Sequence, residues 1–305
     1  MASLDEVHLA HAGFRLSVCP ALGGAITRFA LDDFDLLRPW DGSEQVRRTS
    51  CFVLAPYSNR VGGGMFQADG ESHRLRLNSA EHALPIHGVG WKRSWTLAAQ
   101  EADRLLLTLL HRAEGDARQD WPFSFELEHE LGLDEQGAWL RLALINRSER
   151  VMPAGLGWHP YFPRHAGVTL RFAAEQVWLS DDQQLPSEAV DVPSRWDFRQ
   201  MRELGEPELD HCFAGWDATA TLQWPTAGVR LELEADPSMT HLVVYTPPAA
   251  QGFFAVEPVS HRNNALNAPD PARHGVVQLQ PGGRLERRCR LRVTSLKADE
   301  KRPVN

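Results

Sequence analysis

Residues 123–131, Phe-Ser-Phe-Glu-Leu-Glu-His-Glu-Leu, alternate between aromatic or apolar side chains and serine or glutamate. A second stretch, residues 229–235, Val-Arg-Leu-Glu-Leu-Glu-Ala, repeats the same period of two. Successive side chains of a β-strand point to opposite faces, so both stretches predict half-buried antiparallel strands. Because no stretch of comparable length has a helical period, the sequence predicts an all-β fold built from antiparallel sheets.

The rest of the chain is also typical of short strands separated by turns. Twenty Pro and twenty-three Gly residues are spread throughout and favour turns. The segment Pro281-Gly282-Gly283 predicts a hairpin between the last two strands, and one short helix is predicted around Trp196 to Leu204. Further strands are predicted at residues 14–18, 105–110, 139–145, 168–172, 241–246, 253–256, 276–279 and 285–293.

No linker, charge block or blade-length repeat divides the chain. The sequence therefore predicts one sandwich domain over residues 1–296, rather than a propeller, followed by a polar tail at residues 297–305. Arginines are frequent between residues 284 and 292. They suggest either a phosphate-binding patch or the solvated face of a strand, and the second interpretation is favoured because arginine is seldom buried.

Composition narrows the classes of function. The 305 residues carry a net charge of −8 with 24% charged residues, which argues against a partner that is a nucleic acid or an anionic membrane. The longest stretch without Asp, Glu, Lys or Arg, residues 237–256, contains three prolines and is unsuited to span a membrane. Four widely spaced cysteines predict neither disulfides nor a zinc site. With no secretory leader visible, we expect a cytoplasmic protein.

Four segments place polar residues among aromatics, glycines and prolines. They are residues 56–66 with Asn59-Arg60, 84–91 with His87-Gly88, 155–162 with His159, and 253–258 with Glu257. Glu257 ends an apolar run, so its carboxylate is expected either to point into a cleft from a strand end or to be paired with a buried arginine. No HExxH zinc motif and no GxSxG nucleophile motif occurs. General acid–base chemistry is therefore the kind that these residues suggest.

Taken together, the segments resemble the aldose 1-epimerase (galactose mutarotase) family, in order and over nearly the whole chain. The matching residues are Asn59-Arg60 with the following glycines and Phe66, His87-Gly88 with Trp91 and Trp95, His159-Pro160-Tyr161-Phe162, Leu209-Asp210-His211-Cys212-Phe213, and Glu257-Pro258 with Asn264-Ala265-Leu266-Asn267. The resemblance implies a large β-supersandwich with a broad sugar cleft, in which the α and β anomers of a free hexose interconvert without cofactor or metal.

The resemblance also implies a role for each matching residue. Glu257 is expected to be the base that takes the proton of the C1 hydroxyl, and His159 the acid that protonates the ring oxygen. The residues expected to hold the sugar hydroxyls are Asn59, Arg60, His87 and Asp210. These residue types suit the reaction, because opening a hemiacetal removes a proton from one oxygen and delivers one to another. A Glu with an ordinary pKa would already be a base at pH 7, whereas an ordinary His would be mostly unprotonated.

Several alternatives remain open at this stage. Lys92 and Arg93 near His87 keep a hexose 6-phosphate as a possible substrate. A non-catalytic sugar-binding or sensing protein of the same fold is a second alternative, and a glycosidase using Glu257 and Asp210 is a third. Three aromatic residues suit either stacking on a sugar or core packing, and they are Trp91, Trp158 and Tyr161. The sequence leaves the preferred sugar and the oligomeric state open.

Overall fold

Both alternating stretches form strands in the computed structural model, which describes residues 4–296. These residues contain 24 strands: β1 (Val7–His11), β2 (Phe14–Cys19), β3 (Ala25–Leu31), β4 (Phe34–Asp35), β5 (Cys51–Leu54), β6 (Met65–Ala68), β7 (Glu71–Arg74), β8 (Thr96–Gln100), β9 (Arg104–His111), β10 (Phe125–Asp134), β11 (Gly137–Asn146), β12 (Met152–Ala154), β13 (Gly157–Pro163), β14 (Thr169–Phe172), β15 (Gln176–Ser180), β16 (Pro186–Asp191), β17 (Arg202–Glu203), β18 (Asp210–Ala214), β19 (Thr219–Trp224), β20 (Val229–Ala235), β21 (His241–Tyr245), β22 (Phe253–Val259), β23 (Val277–Leu279) and β24 (Arg284–Ser295).

The strands form two large antiparallel sheets and two small ones. The larger sheet has eleven strands in the order β1-β2-β3-β5-β13-β22-β21-β18-β15-β16, with β4 paired to β3. The second sheet has nine strands in the order β17-β14-β19-β20-β24-β11-β10-β9-β8. The small sheets are the pairs β6-β7 and β12-β23. The prediction of an all-β fold of antiparallel sheets is confirmed.

Short 3-10 turns, rather than longer helices, connect these strands. Within residues 4–296 they span Val46–Arg48, Gly62–Gly64, Gly90–Lys92, Gly115–Gln119, Ser194–Trp196, Ala249–Gln251, Ala265–Asn267 and Ala272–His274. No helix among the described residues is long and apolar enough to cross a membrane.

The central strands of the larger sheet bury both of their faces. On β5 and β22, Val53 and Val256 belong to the main hydrophobic core, which also takes in side chains of the nine-stranded sheet such as Leu127 and Leu291. Their neighbours in sequence point the other way and form a second cluster with Phe52 and others. Because side chains alternate along a strand, the second face of this sheet is available to carry a site.

The outer face of the nine-stranded sheet carries paired charges. Arg141 on β11 lies 2.7 Å from Glu130 on β10 and 3.1 Å from Glu286 on β24. Arg290 on β24 lies 2.6 Å from Asp134. Since carboxylates neutralise these arginines, the structure supports a solvated strand face and not a phosphate-binding patch.

Two local predictions are wrong. The segment predicted as a helix around Trp196 to Leu204 is the 3-10 turn Ser194–Trp196 followed by the short strand β17, because its aromatic side chains turn into the core. Pro281-Gly282-Gly283 does form a turn, but β23 and β24 do not pair across it. β23 pairs with β12, whereas β24 lies between β11 and β20 in the nine-stranded sheet.

The prediction of a single domain over residues 1–296 stays a prediction. The polar tail expected at residues 297–305 lies outside the described residues.

Candidate active site

Strand register brings the predicted acid and base together. Gly157 pairs with Val259 and Tyr161 with Ala255 between β13 and β22, so His159 lies opposite Glu257. Glu257 was expected at a strand end, but it is the fifth of the seven residues of β22. It nevertheless points to the second face of the sheet, where Phe52 on β5 is the other cross-strand neighbour of His159.

The two side chains are in contact and almost completely buried. Nε2 of His159 lies 3.2 Å from Oε1 of Glu257, and the residues are 7% and 2% exposed. Nδ1 of His159 and Oε2 of Glu257 are buried without a hydrogen-bond partner. A buried polar atom that lacks a partner is costly. The pair therefore has bonding capacity left for a ligand.

Burial decides the charge state of this pair. It raises the pKa of Glu257 well above its ordinary value, and the carboxylate of Asp210 raises it further. Burial also lowers the pKa of His159, with Arg47 and Arg38 acting in the same direction. Glu257 therefore does not have the ordinary pKa of a glutamic acid, and the sequence could not show this because it does not reveal how deeply the side chain is buried.

Aromatic rings fix the position of the imidazole. The ring of Phe52 stacks on His159 at a centroid distance of 4.7 Å, and Tyr161 lies 4.4 Å away. The guanidinium of Arg38 in turn covers Tyr161 at 3.9 Å. A ring packed between two others has few alternative rotamers, so the imidazole of His159 is held in one orientation.

The three aromatic residues that suited either sugar stacking or core packing differ in their surroundings. Tyr161 lines the cavity above the pair. Trp91 is buried against Phe52 with centroids 5.5 Å apart. Trp158 lies in the main core, where its Nε1 donates to Nε2 of His129 at 3.2 Å. Trp158 is thus a core packing residue, whereas Trp91 also borders a second, larger cavity.

Two loops lie next to the pair of His159 and Glu257. One carries Asn59 and the other His87, and hydrogen bonds between these two residues join the loops. Both residues have left-handed backbones, with φ of 60° and 61°. The N–H of Asn59 donates to Nδ1 of His87 at 3.1 Å, and the N–H of His87 donates to the carbonyl of Asn59 at 3.0 Å. Because Nδ1 accepts a hydrogen bond, the imidazole of His87 carries its proton on Nε2. Burial and the neighbouring His159 lower its pKa, which favours this neutral form.

Gly88 allows the loop of His87 to approach β5. Its φ is +70°, and a Cβ at this position would lie 2.2 Å from the carbonyl oxygen of Ala55. We expect Gly88→Ala to displace His87, to destabilise the protein by about 3 kcal/mol and to lower activity at least tenfold. Thermal unfolding and initial rates of the anomer interconversion that the sequence predicts would measure both effects.

A matched control is Gly63→Ala, since Gly63 has a similar φ of +62° and open space around its Cβ position. It should cost only the backbone strain, about 1 kcal/mol. Equal losses for the two variants would show that the close approach at Gly88 is unimportant.

The turn after Arg60 is held by the segment that closes the predicted family pattern. Oδ1 of Asn264 accepts the N–H of Gly62 at 2.9 Å, and Nδ2 of Asn267 donates to the carbonyl of Met65 at 2.8 Å. The side chain of Asn59 also accepts from Nη1 of Arg60 at 3.2 Å. These contacts aim Arg60 across the cavity towards Asp210, with Nη2 and Oδ2 3.9 Å apart.

These elements enclose a polar cavity of about 200 Å³. At roughly 30 Å³ per water, this is the volume of about seven waters, which suits one sugar ring. All six residues singled out from the sequence line it, and so do four others. The lining residues are Arg47, Asn59, Arg60, His82, His87, His159, Tyr161, Asp210, Tyr245 and Glu257.

Sequence reasoning missed Arg47, His82 and Tyr245. Arg47 comes from the 3-10 turn Val46–Arg48 and His82 from a loop, and neither lies in a motif. Tyr245 could have been found only from strand register, because it pairs with Asp210 on β18 and with Ala255 on β22. Among residues 4–296, no group of three or more His, Cys, Asp or Glu side chains is arranged to hold a metal ion.

Comparison with known proteins agrees with this architecture. The chain is 30% identical to the uncharacterized protein YphB of Escherichia coli K12 over 292 residues, covering 93% of this chain and 97% of that protein. An Escherichia coli K12 crystal structure with a provisional aldose 1-epimerase assignment superposes with a TM-score of 0.88 at 28% identity, covering 96% and 99% of the two chains.

A galactose mutarotase-like protein from Clostridium acetobutylicum has the same fold, with a TM-score of 0.84 at 17% identity and 95% of each chain covered. This likeness confirms the predicted galactose mutarotase-like fold. The family model for aldose 1-epimerase matches residues 5–292. The chain therefore belongs to the aldose 1-epimerase family.

Proposed function

We propose that the protein is an aldose 1-epimerase that interconverts the α and β anomers of a neutral free hexose. The observation that carries this proposal is the contact between Nε2 of His159 and Oε1 of Glu257, 3.2 Å apart on the floor of a polar cavity of one-ring size. A protein that only bound sugars would not need a buried, adjacent acid and base. Membership of the family supports the same reaction class.

The reaction needs one proton held by this pair. Burial places that proton on Glu257 in the resting site, so it passes to Nε2 of His159 across their 3.2 Å contact before the ring opens. In the closed sugar, the Glu257 carboxylate takes the proton of the C1 hydroxyl while Nε2 of His159 gives its proton to the ring oxygen. The C1–ring oxygen bond breaks, and an open-chain aldehyde forms. After rotation about C1–C2, Glu257 returns its proton to the aldehyde oxygen as the ring oxygen attacks C1, and the ring hydroxyl returns its proton to His159. Protons and bonds balance over the cycle.

The electrostatics of the pair favour ring opening. Opening converts a carboxylate and an imidazolium into a carboxylic acid and a neutral imidazole. Burial raises the pKa of Glu257 and lowers that of His159, so it favours the neutral products of this transfer. Ring opening therefore returns the pair from its reactive charged form to the neutral form that burial favours.

The remaining lining residues would bind the sugar hydroxyls. His87 offers its Nε2–H as a donor, because its Nδ1 is occupied by Asn59. Arg60 and Asp210 supply a donor and an acceptor at one end of the cavity. Asn59 orients Arg60 through Oδ1 and also lines the cavity. This mixture of charged donors and acceptors suits hydroxyl groups, which both donate and accept hydrogen bonds.

A phosphorylated hexose is less well supported. Lys92 and Arg93 do not line the polar cavity that contains His159 and Glu257, which we call the catalytic cavity. Arg93 forms an ion pair with Asp120, and Lys92 lies over Trp91. Of the cations that line this cavity, Arg47 pairs with Glu81 and Arg60 faces Asp210, so they form no free basic cluster for a phosphate. We also propose the cytoplasm as the location, in keeping with four buried free cysteines.

The pKa directions predict the pH dependence of kcat/KM. The pair is active when it holds one proton. The pair takes up a second proton only below pH 6.5, because burial lowers the pKa of His159 from that value. It loses its last proton only at a pH well above the ordinary pKa of a glutamic acid, because burial raises the pKa of Glu257. We therefore expect kcat/KM to stay level through neutral pH, with its acid limb below pH 6.5. An acid limb at or above pH 6.5 would contradict a lowered pKa for His159 in this pair.

Exchange spectroscopy of anomeric protons distinguishes the candidate functions. The protein is added to equilibrated glucose, galactose and glucose 6-phosphate, and magnetisation transfer between the α and β H1 signals is measured. An epimerase of neutral hexoses accelerates exchange of the free sugars most. A protein that only binds sugars broadens the H1 signals without transferring magnetisation between the α and β anomers. A glycosidase is detected in a separate assay, by the chromophore that it releases from a chromogenic glycoside. Either of these last two outcomes would refute the proposal.

A further inference from the structure

A second cavity adjoins the catalytic one, and Arg47 lies in the wall of both. It has a volume of about 490 Å³ and is lined by segments near residues 21–23, 44–47, 79–81 and 91–92. We call it the outer cavity. It is more than twice as large as the catalytic cavity, and the proposed reaction on a single hexose gives it no role.

The order of residues along the sheet shows which end of a sugar would face the outer cavity. Phe52, His159 and Glu257 are successive neighbours across β5, β13 and β22. Trp91, a residue of the outer cavity wall, packs on Phe52, on the side of His159 away from Glu257. The outer cavity therefore lies beyond the acid, not beyond the base.

The chemistry of the ring then selects the substituent. In the proposed reaction, C1 faces Glu257 and the ring oxygen faces His159. Continuing in the same direction, the next ring atom is C5, which carries C6 and its hydroxyl. A group attached to O6 would extend past Arg47 into the outer cavity, whereas a group on the C1 oxygen would not.

The charges of the outer cavity favour a neutral group over a phosphate. Its wall carries two cations, Arg47 and Lys92, and two carboxylates, Glu44 and Glu81. Nη1 of Arg47 is already bound to Oε2 of Glu81 at 2.6 Å. A phosphate would have to compete with Glu81 for Arg47 and would be repelled by Glu44. Hydroxyl groups instead can use the carboxylates as well as the cations.

We propose that the outer cavity is a subsite for a second sugar ring, linked through O6 to the hexose whose anomeric carbon reacts. The substrate class is then a reducing disaccharide with a 1→6 linkage, such as melibiose or isomaltose. This inference rests on the proposed epimerase function. The additional rotatable C5–C6 bond of a 1→6 linkage lets the second ring pass around the side chain of Arg47.

The test compares anomer exchange of melibiose and isomaltose with that of glucose, maltose and glucose 6-phosphate. We expect kcat/KM to be about tenfold higher for the 1→6 disaccharides than for glucose, as two added hydrogen bonds would give. Ala80→Trp places an indole in the outer cavity, where Ala80 is exposed. It should remove this preference and leave glucose unchanged, and Lys92→Ala should reduce it several-fold.

Ala98→Trp, on the exposed edge strand β8 outside the outer cavity, is the matched control and should have no effect. The inference is overturned if the 1→6 disaccharides are exchanged no faster than glucose and maltose, if Ala80→Trp affects all sugars equally, or if glucose 6-phosphate is preferred. Absence of exchange with every sugar, galactose included, would instead overturn the proposed function itself.

Discussion

Glu257→Gln is expected to lower kcat for anomer interconversion by about 10²- to 10⁴-fold, the usual contribution of a general base. The amide has the size of the carboxyl group but cannot take up the proton of the C1 hydroxyl. Because Glu257 is only 2% exposed and its pKa is raised by burial, a neutral side chain should not destabilise the fold. Sugar affinity, measured by calorimetry, should change by no more than a few-fold.

The control for this variant is Glu188→Gln, on the exposed part of edge strand β16 in the same sheet. It should leave kcat, affinity and melting temperature unchanged. If Glu257→Gln kept full activity, the base would have to be another residue. If it lost sugar binding together with activity, Glu257 would be a binding residue only.

His159→Asn is expected to reduce kcat by a similar factor of about 10² to 10⁴, because the amide cannot protonate the ring oxygen. The acid limb of the residual activity should also move to higher pH, because Glu257 must then lose its own proton to act as the base and burial raises its pKa. This change in the pH profile distinguishes proton transfer from a merely structural role. Circular dichroism and thermal unfolding would show whether the variant is folded.

His129→Asn is a matched control, because His129 is also buried but lies in the main core, where it accepts from Trp158. Burial lowers the pKa of His129 to about 3, so it is neutral under all assay conditions. The variant should lower the melting temperature and keep the kcat and pH profile of the folded protein. An unchanged pH profile for His159→Asn as well would remove His159 from the mechanism.

Much of the fold follows from alternation in the sequence. Residues 123–131 and 229–235 predicted β10 and β20 because one side of each strand is apolar and the other is not. The turn at Pro281 and the strands on either side of it were recognised. The strands with which these two pair were not, since pairing depends on residues far away in sequence. The helix expected after Trp196 failed because tertiary packing outweighs a weak local preference.

Some residues of the candidate site could be predicted from the sequence, and others could not. Residues in compact motifs, such as His159 and Glu257, could be identified from the sequence, and they line one cavity. Arg47 and Tyr245 could not, because only the fold brings them to that cavity. The charge state of the pair was also out of reach, since pKa shifts depend on burial and on neighbours such as Asp210.

Optical rotation tests the central claim most directly. Freshly dissolved crystalline α-D-galactose or α-D-glucose is followed to equilibrium with wild-type protein, with Glu257→Gln and without protein. We expect the wild type to accelerate relaxation in proportion to its concentration, with the same final rotation, and we expect no acceleration with the variant. Relaxation at the uncatalysed rate with both sugars, although they bind the wild-type protein, would contradict this expectation.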